Sequence, residues 1–115
     1  MQKLGYVAGQ MSVDIFVAPA VAQSWFVFNR IKDIVEAEGG QIKDVFKLVQ
    51  YFRDLRHYPA YNRVRGLFCP EPVVSTVVEV SRMLTSDEVL IEVEATAFFA
   101  HLINFRGLTG IFGKR

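Results

Sequence analysis

The sequence has little of what disulfide-bonded, zinc-binding and membrane-spanning proteins need. It contains one cysteine, Cys69, and two histidines, so an internal disulfide and a Cys/His zinc cluster are both excluded. The uncharged stretch at residues 15–29 is shorter than the roughly 18 apolar residues of a spanning helix. Residues 1–10 also lack the sustained apolar segment of a secretory signal. We therefore expect a cytoplasmic protein with no membrane association and with neither metal nor cofactor.

Charge of one sign and the familiar catalytic signatures are also scarce. The 13 basic and 12 acidic residues leave a net charge of +1, without the basic surplus that neutralising nucleic-acid phosphates requires. The patterns HExxH, GxSxG and CxxC do not occur, and no GxGxxG turn joins a strand to a helix. These absences argue against a nucleic-acid partner and against the commonest metal and nucleotide chemistries.

Apolar residues, by contrast, are abundant. They make up 51% of the 115 residues, or about 55% with Gly counted and Tyr omitted, against roughly 45–50% in an ordinary soluble domain. A chain of this length builds one hydrophobic core rather than two. We attribute the excess of apolar residues to a subunit interface.

Hydrophobic periodicity predicts six elements of secondary structure. Apolar residues at helical spacing, from Val21 through Trp25 and Phe28, mark the clearest helix, which Gly39 and Gly40 end. The predicted elements are a strand at residues 4–13, a helix at 21–37, a strand at 44–53, a short helix from Pro59 to Phe68, and strands at 73–80 and 89–98.

This order of elements favours an α+β domain with two helices on one face of a single sheet. The strand at 44–53 is apolar on both faces, with Phe46, Leu48 and Phe52 predicted to share one of them, and belongs in the sheet interior. The strands at 73–80 and 89–98 are separated by a polar turn and are predicted to form an antiparallel hairpin. A second copy of the chain is the simplest cover for the other sheet face.

Several polar residues are candidates for chemistry, each with a structural alternative. Glu92 and Glu94 alternate with apolar residues on one strand, so they form either a proton-transfer site or a solvated, salt-bridged face. Asn62 either directs its amide at a pocket or is simply exposed. Cys69 is interpreted as a small, half-buried apolar residue rather than a reactive thiol. Glu79 is equally ambiguous, and His57 and His101 are interpreted as structural or surface residues.

Six short segments resemble, in order and spacing, the reactive intermediate deaminase family (Rid, or YjgF-type). They are GQMSVD at residues 9–14, IVEAEG at 34–39, DVFK at 44–47, FRDL at 52–55, VEV at 78–80 and IEVEATA at 91–97. The resemblance covers roughly residues 4–98. It implies a chorismate-mutase-like single sheet with two helices on one face, a homotrimer, and small-molecule pockets between subunits.

The resemblance also implies a chemistry. Family members hydrolyse reactive enamines and imines, such as 2-iminobutanoate, to keto acids and ammonia without metal or cofactor. A glutamate positions the attacking water, and its place in this sequence is taken by Glu92. Asn62 falls on a pocket-lining asparagine and Gly9 on a glycine that contacts the ligand through its backbone.

Two departures from the family pattern bear on function. The family's carboxylate-binding arginine is replaced by Ser75, so turnover of 2-iminobutanoate should be weak unless Arg63 or Arg65 supplies the missing charge. The family's first strand is expected to have no counterpart in this sequence. Residues 98–115 are expected to extend the single domain at 1–115 beyond the usual family end. We expect part of residues 98–105 to pack along the sheet in place of that strand.

Three functions remain open at this point. The first is a metal-free imine or enamine deaminase that uses Glu92. The second is a non-catalytic trimer that binds a metabolite or a protein partner in the same clefts, which the replacement by Ser75 favours. The third is the endoribonuclease or translation-inhibitor role attached to family names, against which the near-neutral charge argues.

Overall fold

A computed structural model describes residues 18–69, 72–84 and 86–109 of the chain. The predicted strand at residues 4–13 lies outside them. The described elements, in chain order, are α1 (Ala18–Ala37), β1 (Val45–Phe52), α2 (Tyr58–Phe68), β2 (Val74–Glu79), β3 (Ile91–Phe98) and β4 (Leu102–Thr109). Short 3-10 turns at Ile42–Asp44 and Leu55–His57 precede β1 and α2.

The four strands form one mixed sheet in the order β2-β1-β3-β4. β2 runs parallel to β1, whereas β3 runs antiparallel to both β1 and β4. The predicted hairpin of β2 and β3 is therefore wrong, because β1 lies between these strands. The helical crossover through α2 returns the chain to the starting end of β1, which makes β2 parallel to it. The interior position predicted for β1 is confirmed.

Both helices pack on the same face of the sheet, as the sequence predicts. Val21, Phe28, Ile31 and Val35 of α1 are almost completely buried, and they enter a core that also contains Tyr61 of α2. The helix α1 ends at Ala37, and the turn that follows contains Gly39, as expected, whose φ of +96° is readily accessible to glycine. The amide of Gly40 then donates a hydrogen bond of 3.0 Å to the carbonyl of Val35.

The start of β1 departs from the alternation predicted by sequence. Val45 is 4% exposed and joins the core, whereas Phe46 is 43% exposed. The cause is a register shift between Val45 and Lys47 against β3, where one extra residue is accommodated. Assigning Phe46 to the same face as Leu48 and Phe52 was therefore wrong, because a bulge interrupts the two-residue period.

The strand β4 adds an edge to the sheet beyond β3. Leu108 is buried in the core and Phe105 packs against it. Part of residues 98–105 does pack along the sheet, since Phe98 pairs with Leu102 and Ala95 with Phe105. That this segment takes the place of the family's first strand stays a prediction.

The sheet face opposite the helices carries both charged and apolar side chains. Glu92 and Glu94 point to this side because they alternate with the buried residues of β3. The exposed apolar side chains of this face include Val74, Val78, Phe98 and Leu102. In the described ranges, both α-helices lie on the other side of the sheet, and no helix is long and apolar enough to cross a bilayer.

Candidate functional site

Glu92 lies at the middle of the sheet and lines a cavity of about 340 Å³ on the face away from the helices. The strand register places it opposite Tyr51 of β1 and Thr109 of β4. Its neighbours around the cavity include Arg82 and Arg106. The Glu92 side chain is half-buried and makes no hydrogen bond or ion pair with any residue in the described ranges. Its carboxylate is thus free to accept hydrogen bonds from water or from a ligand.

Glu94, two residues further along β3, is already engaged. Its Oε2 accepts a hydrogen bond of 3.4 Å from Nδ2 of Asn104 and lies 3.9 Å from Nε of Arg106. Both contacts come from β4, which brings polar side chains to this side of the sheet. The two alternatives left open by sequence therefore divide between the two residues: Glu94 belongs to a salt-bridged face, and Glu92 is the available carboxylate.

Ser75 belongs to a second polar cluster, at the edge of the sheet on the helix side. Its Oγ accepts a hydrogen bond of 2.8 Å from Nε2 of Gln50 and one of 2.9 Å from Nη1 of Arg65. Gln50 lies on the central strand β1 and is completely buried. Arg65 comes from the last turn of α2, where its charge is favourable at the carboxyl end of a helix.

Gln50 is the centre of this cluster. Its Oε1 accepts a hydrogen bond of 2.6 Å from the Tyr61 hydroxyl and one of 3.1 Å from Nη1 of Arg65. Its Nε2 donates to Ser75 and also to the carbonyl of Thr76, at 3.0 Å. With four bonds around one buried amide, the polar atoms of Gln50 are satisfied and their positions are fixed. Burial also raises the pKa of Tyr61 well above its usual value, so its hydroxyl stays a donor.

Three of the remaining candidate residues have surroundings that indicate a structural rather than a catalytic role. Burial raises the pKa of the Cys69 thiol to about 11, with Arg65 opposing part of this effect, which favours the apolar interpretation. His57 is buried, in agreement with a structural role. Glu79 accepts a hydrogen bond of 3.2 Å from the amide of Leu55, so it supports the turn before α2.

The site residues expected from the sequence do not meet within one protomer. Ser75 and Glu92 point to opposite faces of the sheet, with β1 between their strands. Asn62 is exposed on α2, where its Oδ1 lies 3.4 Å from the Tyr58 hydroxyl. Gly9 falls outside the described residues. No pocket within one chain therefore contains both Ser75 and Glu92 in the described ranges.

Sequence reasoning missed several members of the two clusters. Gln50 could have been noticed as a polar residue between Leu48 and Phe52, on the face that otherwise enters the core. Tyr61 lies four residues before Arg65, which the sequence had already offered as a source of the missing charge, and so shares its face of α2. Arg106 offered no such signal, because only the pairing of β3 with β4 brings it near Glu94.

Comparisons with known proteins give the chain a family. The sequence model of the family described as endoribonuclease L-PSP matches residues 1–99. A RutC family protein from Pyrococcus horikoshii is 34% identical over 99 residues, which cover 81% of this chain and 77% of that protein. The 3-aminoacrylate deaminase RutC from Acinetobacter baylyi is 37% identical over 71 residues, covering 57% of this chain and 56% of the deaminase.

A solved structure agrees with the sequence comparisons. A Klebsiella pneumoniae protein described as a candidate endoribonuclease superposes with a TM-score of 0.78 at 50% identity. The alignment covers 86% of this chain and 76% of that one. The mixed sheet with two helices described above is thus shared with a protein of closely similar sequence. The chain belongs to the endoribonuclease L-PSP family, also known as the Rid or YjgF family.

Proposed function

We propose that this protein is a metal-free deaminase that hydrolyses enamines or imines to a carbonyl compound and ammonia. The observation that carries the proposal is the free carboxylate of Glu92, half-buried in a cavity of about 340 Å³. The proposal is supported by the 3-aminoacrylate deaminase from Acinetobacter baylyi, whose named substrate is an enamine. The family assignment alone does not decide between deaminase and ribonuclease chemistry.

The reaction needs a water molecule held next to the imine carbon and a group that moves its proton. Glu92 accepts a hydrogen bond from the water and takes its proton as the oxygen bonds to the carbon. The C=N electron pair moves to nitrogen, which receives this proton from Glu92 to give a neutral carbinolamine. In the second step Glu92 takes the proton of the carbinolamine hydroxyl and passes it to the amine nitrogen as the C=O bond forms and the C–N bond breaks, so ammonia leaves and Glu92 is again a carboxylate. An enamine first takes a proton on carbon to become the imine.

The proposal includes a homotrimer with its sites between subunits. The sheet face opposite the helices exposes apolar side chains, among them Val74 and Phe98. Such a face is suited to contact with another copy of the chain. Ser75 and Glu92 also point to opposite sides of the sheet, which a shared pocket explains: one subunit provides the β2 edge and its neighbour provides the cavity of Glu92. Light scattering at micromolar protein concentration tests the assembly, and a monomer mass would contradict it.

The activity test is ammonia release from freshly generated 2-iminobutanoate, after subtraction of uncatalysed hydrolysis. Glu92→Gln is expected to lower kcat by about 100-fold or more, the usual contribution of a general base. Glu94→Gln is the matched control on the same strand and should stay within a few-fold of wild type. Both variants should keep the wild-type melting temperature.

Two results would contradict the deaminase proposal. One is an unchanged rate in Glu92→Gln. The other is an absence of wild-type turnover on 2-iminobutanoate and on an uncharged imine. If a ligand such as 2-oxobutanoate then still stabilised the wild-type protein without being consumed, the non-catalytic binding function favoured by Ser75 would replace the deaminase.

A further inference from the structure

Arg65 is a cation held in place by neutral groups. Its Nη1 donates to Oε1 of Gln50 at 3.1 Å and to Oγ of Ser75 at 2.9 Å, and neither acceptor carries a charge. Within residues 18–69, 72–84 and 86–109, no carboxylate forms an ion pair with it. By contrast, Arg56 forms an ion pair with Asp54, and Arg106 forms one with Glu94.

The geometry leaves one edge of the Arg65 guanidinium available. The two hydrogen bonds use Nη1, whose two N–H groups match the two acceptors. The N–H groups on Nε and Nη2 have no partner in the described part of the chain, and the side chain is only partly buried. These groups form the edge with which an arginine binds both oxygens of a carboxylate.

The position of this edge is fixed before any ligand arrives. Gln50 is completely buried and bonded at all its polar atoms, so it provides a rigid acceptor for Arg65. An arginine that is already oriented loses less side-chain entropy when it binds an anion than a freely rotating one does. Ser75, whose hydroxyl fixes the other side of Nη1, is exposed at the β2 edge.

We infer that Arg65 binds the carboxylate group of the ligand and takes the place of the charge that Ser75 lacks. The inference deepens the deaminase proposed above and rests on it for the catalytic consequence: the substrate is an imine or enamine that carries a carboxylate. In the oligomer, Arg65 of one subunit holds this group while Glu92 of the neighbouring subunit acts on the water. Arg65 thus determines specificity, and Gln50 and Ser75 position it.

The primary test is calorimetric titration of the full-length protein with 2-oxobutanoate, the keto acid that hydrolysis of 2-iminobutanoate yields. Arg65→Gln is expected to weaken binding by about ten- to a hundredfold, the usual range for loss of a charged hydrogen-bonded partner. Arg65→Lys keeps the positive charge but cannot bind both carboxylate oxygens in a bidentate arrangement. Its affinity for 2-oxobutanoate should therefore lie between those of wild type and Arg65→Gln. Arg63→Gln, an exposed arginine on the same helix, should bind like wild type.

Three results would overturn the inference: no binding by wild type, equal binding by wild type and Arg65→Gln, or an equal loss in Arg63→Gln. If Arg65→Gln fails to fold, the affinity of Arg65→Lys for 2-oxobutanoate is the deciding measurement. An affinity equal to that of wild type would then overturn the inference. Wild type and Arg65→Gln should have equal affinities for 2-butanone, because this ketone has no carboxylate for Arg65 to bind.

Kinetics separate this inference from the proposed function. With 2-iminobutanoate, Arg65→Gln should raise KM much more than it lowers kcat, whereas Glu92→Gln should lower kcat. Carboxylate binding that depends on Arg65, without ammonia release by wild type, would refute the deaminase and leave the inference standing. Equal kcat/KM values for wild type and Arg65→Gln would refute the inference and leave the deaminase standing.

Discussion

Tyr61 donates a hydrogen bond of 2.6 Å to Oε1 of Gln50, and both side chains are completely buried. The bond joins α2 to the central strand of the sheet in the middle of the core. It also explains how a polar amide is tolerated there, since a buried polar group is costly only when it lacks partners. The same amide orients Arg65 and Ser75, so the stability of the core and the geometry of the candidate site share one group.

The two ends of this bond should differ in their effect on stability. Tyr61→Phe removes one donor but leaves Oε1 of Gln50 bonded to Arg65, so we expect a loss of about 1 kcal/mol. Gln50→Leu leaves the buried Tyr61 hydroxyl without its acceptor and should cost about 1–3 kcal/mol. Urea unfolding measures both. Tyr58→Phe, whose hydroxyl makes only a long, exposed contact, is the control, and a Gln50→Leu variant as stable as wild type would contradict the account.

Mixed oligomers test whether the site is shared between subunits. Arg65→Gln and Glu92→Gln are each expected to be impaired, but subunits of the two variants can complete a site between them. If each site takes Arg65 from one subunit and Glu92 from the next, random mixing in equal amounts restores about a quarter of the wild-type sites. The measurement is ammonia release after joint refolding. A mixture no more active than the separate variants would place both residues of a site in the same subunit.

The thiol of Cys69 should react slowly in the folded protein. Burial raises its pKa to about 11, so the thiolate, which is the reactive form, is scarce at neutral pH. We expect iodoacetamide to modify the native protein much more slowly at pH 8 than the urea-unfolded protein, whose single cysteine serves as its own control. Equal rates would show that Cys69 is an accessible, reactive thiol.

The raised pKa of Cys69 also predicts how the free energy of unfolding depends on pH. Because the folded-state pKa lies above that of an unfolded cysteine, the folded state holds more protons between about pH 9 and 11. The contribution of Cys69 is therefore full below the unfolded pKa and declines as the pH rises toward 11. Urea unfolding of wild type and Cys69→Ala across this range measures the effect, and parallel pH profiles would contradict it.

The strand β4 should be required for a stable core. Leu108 is 3% exposed, and Leu108→Ala is expected to cost about 2–4 kcal/mol through lost burial and the cavity left behind. Leu84→Ala makes the same chemical change at a side chain that is 98% exposed and should be nearly neutral. Deletion of residues 100–115 should destabilise the protein or cause aggregation, because it exposes the edge of β3. An unchanged melting temperature in both Leu108→Ala and the deletion would contradict this role.

The kinds of secondary-structure element and the family could both be predicted from the amino-acid sequence alone. The spacing of Val21, Phe28, Ile31 and Val35 predicted α1 because burial on a helix recurs with the helical period. The apolar character of both faces of β1 predicted its interior position, and the IEVEATA segment at residues 91–97 identified the family and singled out Glu92. These features are local, since each depends on residues close together along the chain.

Which elements are neighbours depends instead on contacts between residues that are far apart along the chain. The pairing of β2 with β1 rather than with β3 depends on a crossover through α2, and the burial of Val45 depends on a bulge against β3. Glu92 and Glu94 look alike in sequence, and only the contacts of Asn104 and Arg106 from β4 separate their roles. Likewise, Arg65 and Ser75 come together because both reach the amide of Gln50, and such long-range contacts leave no periodic pattern in the sequence.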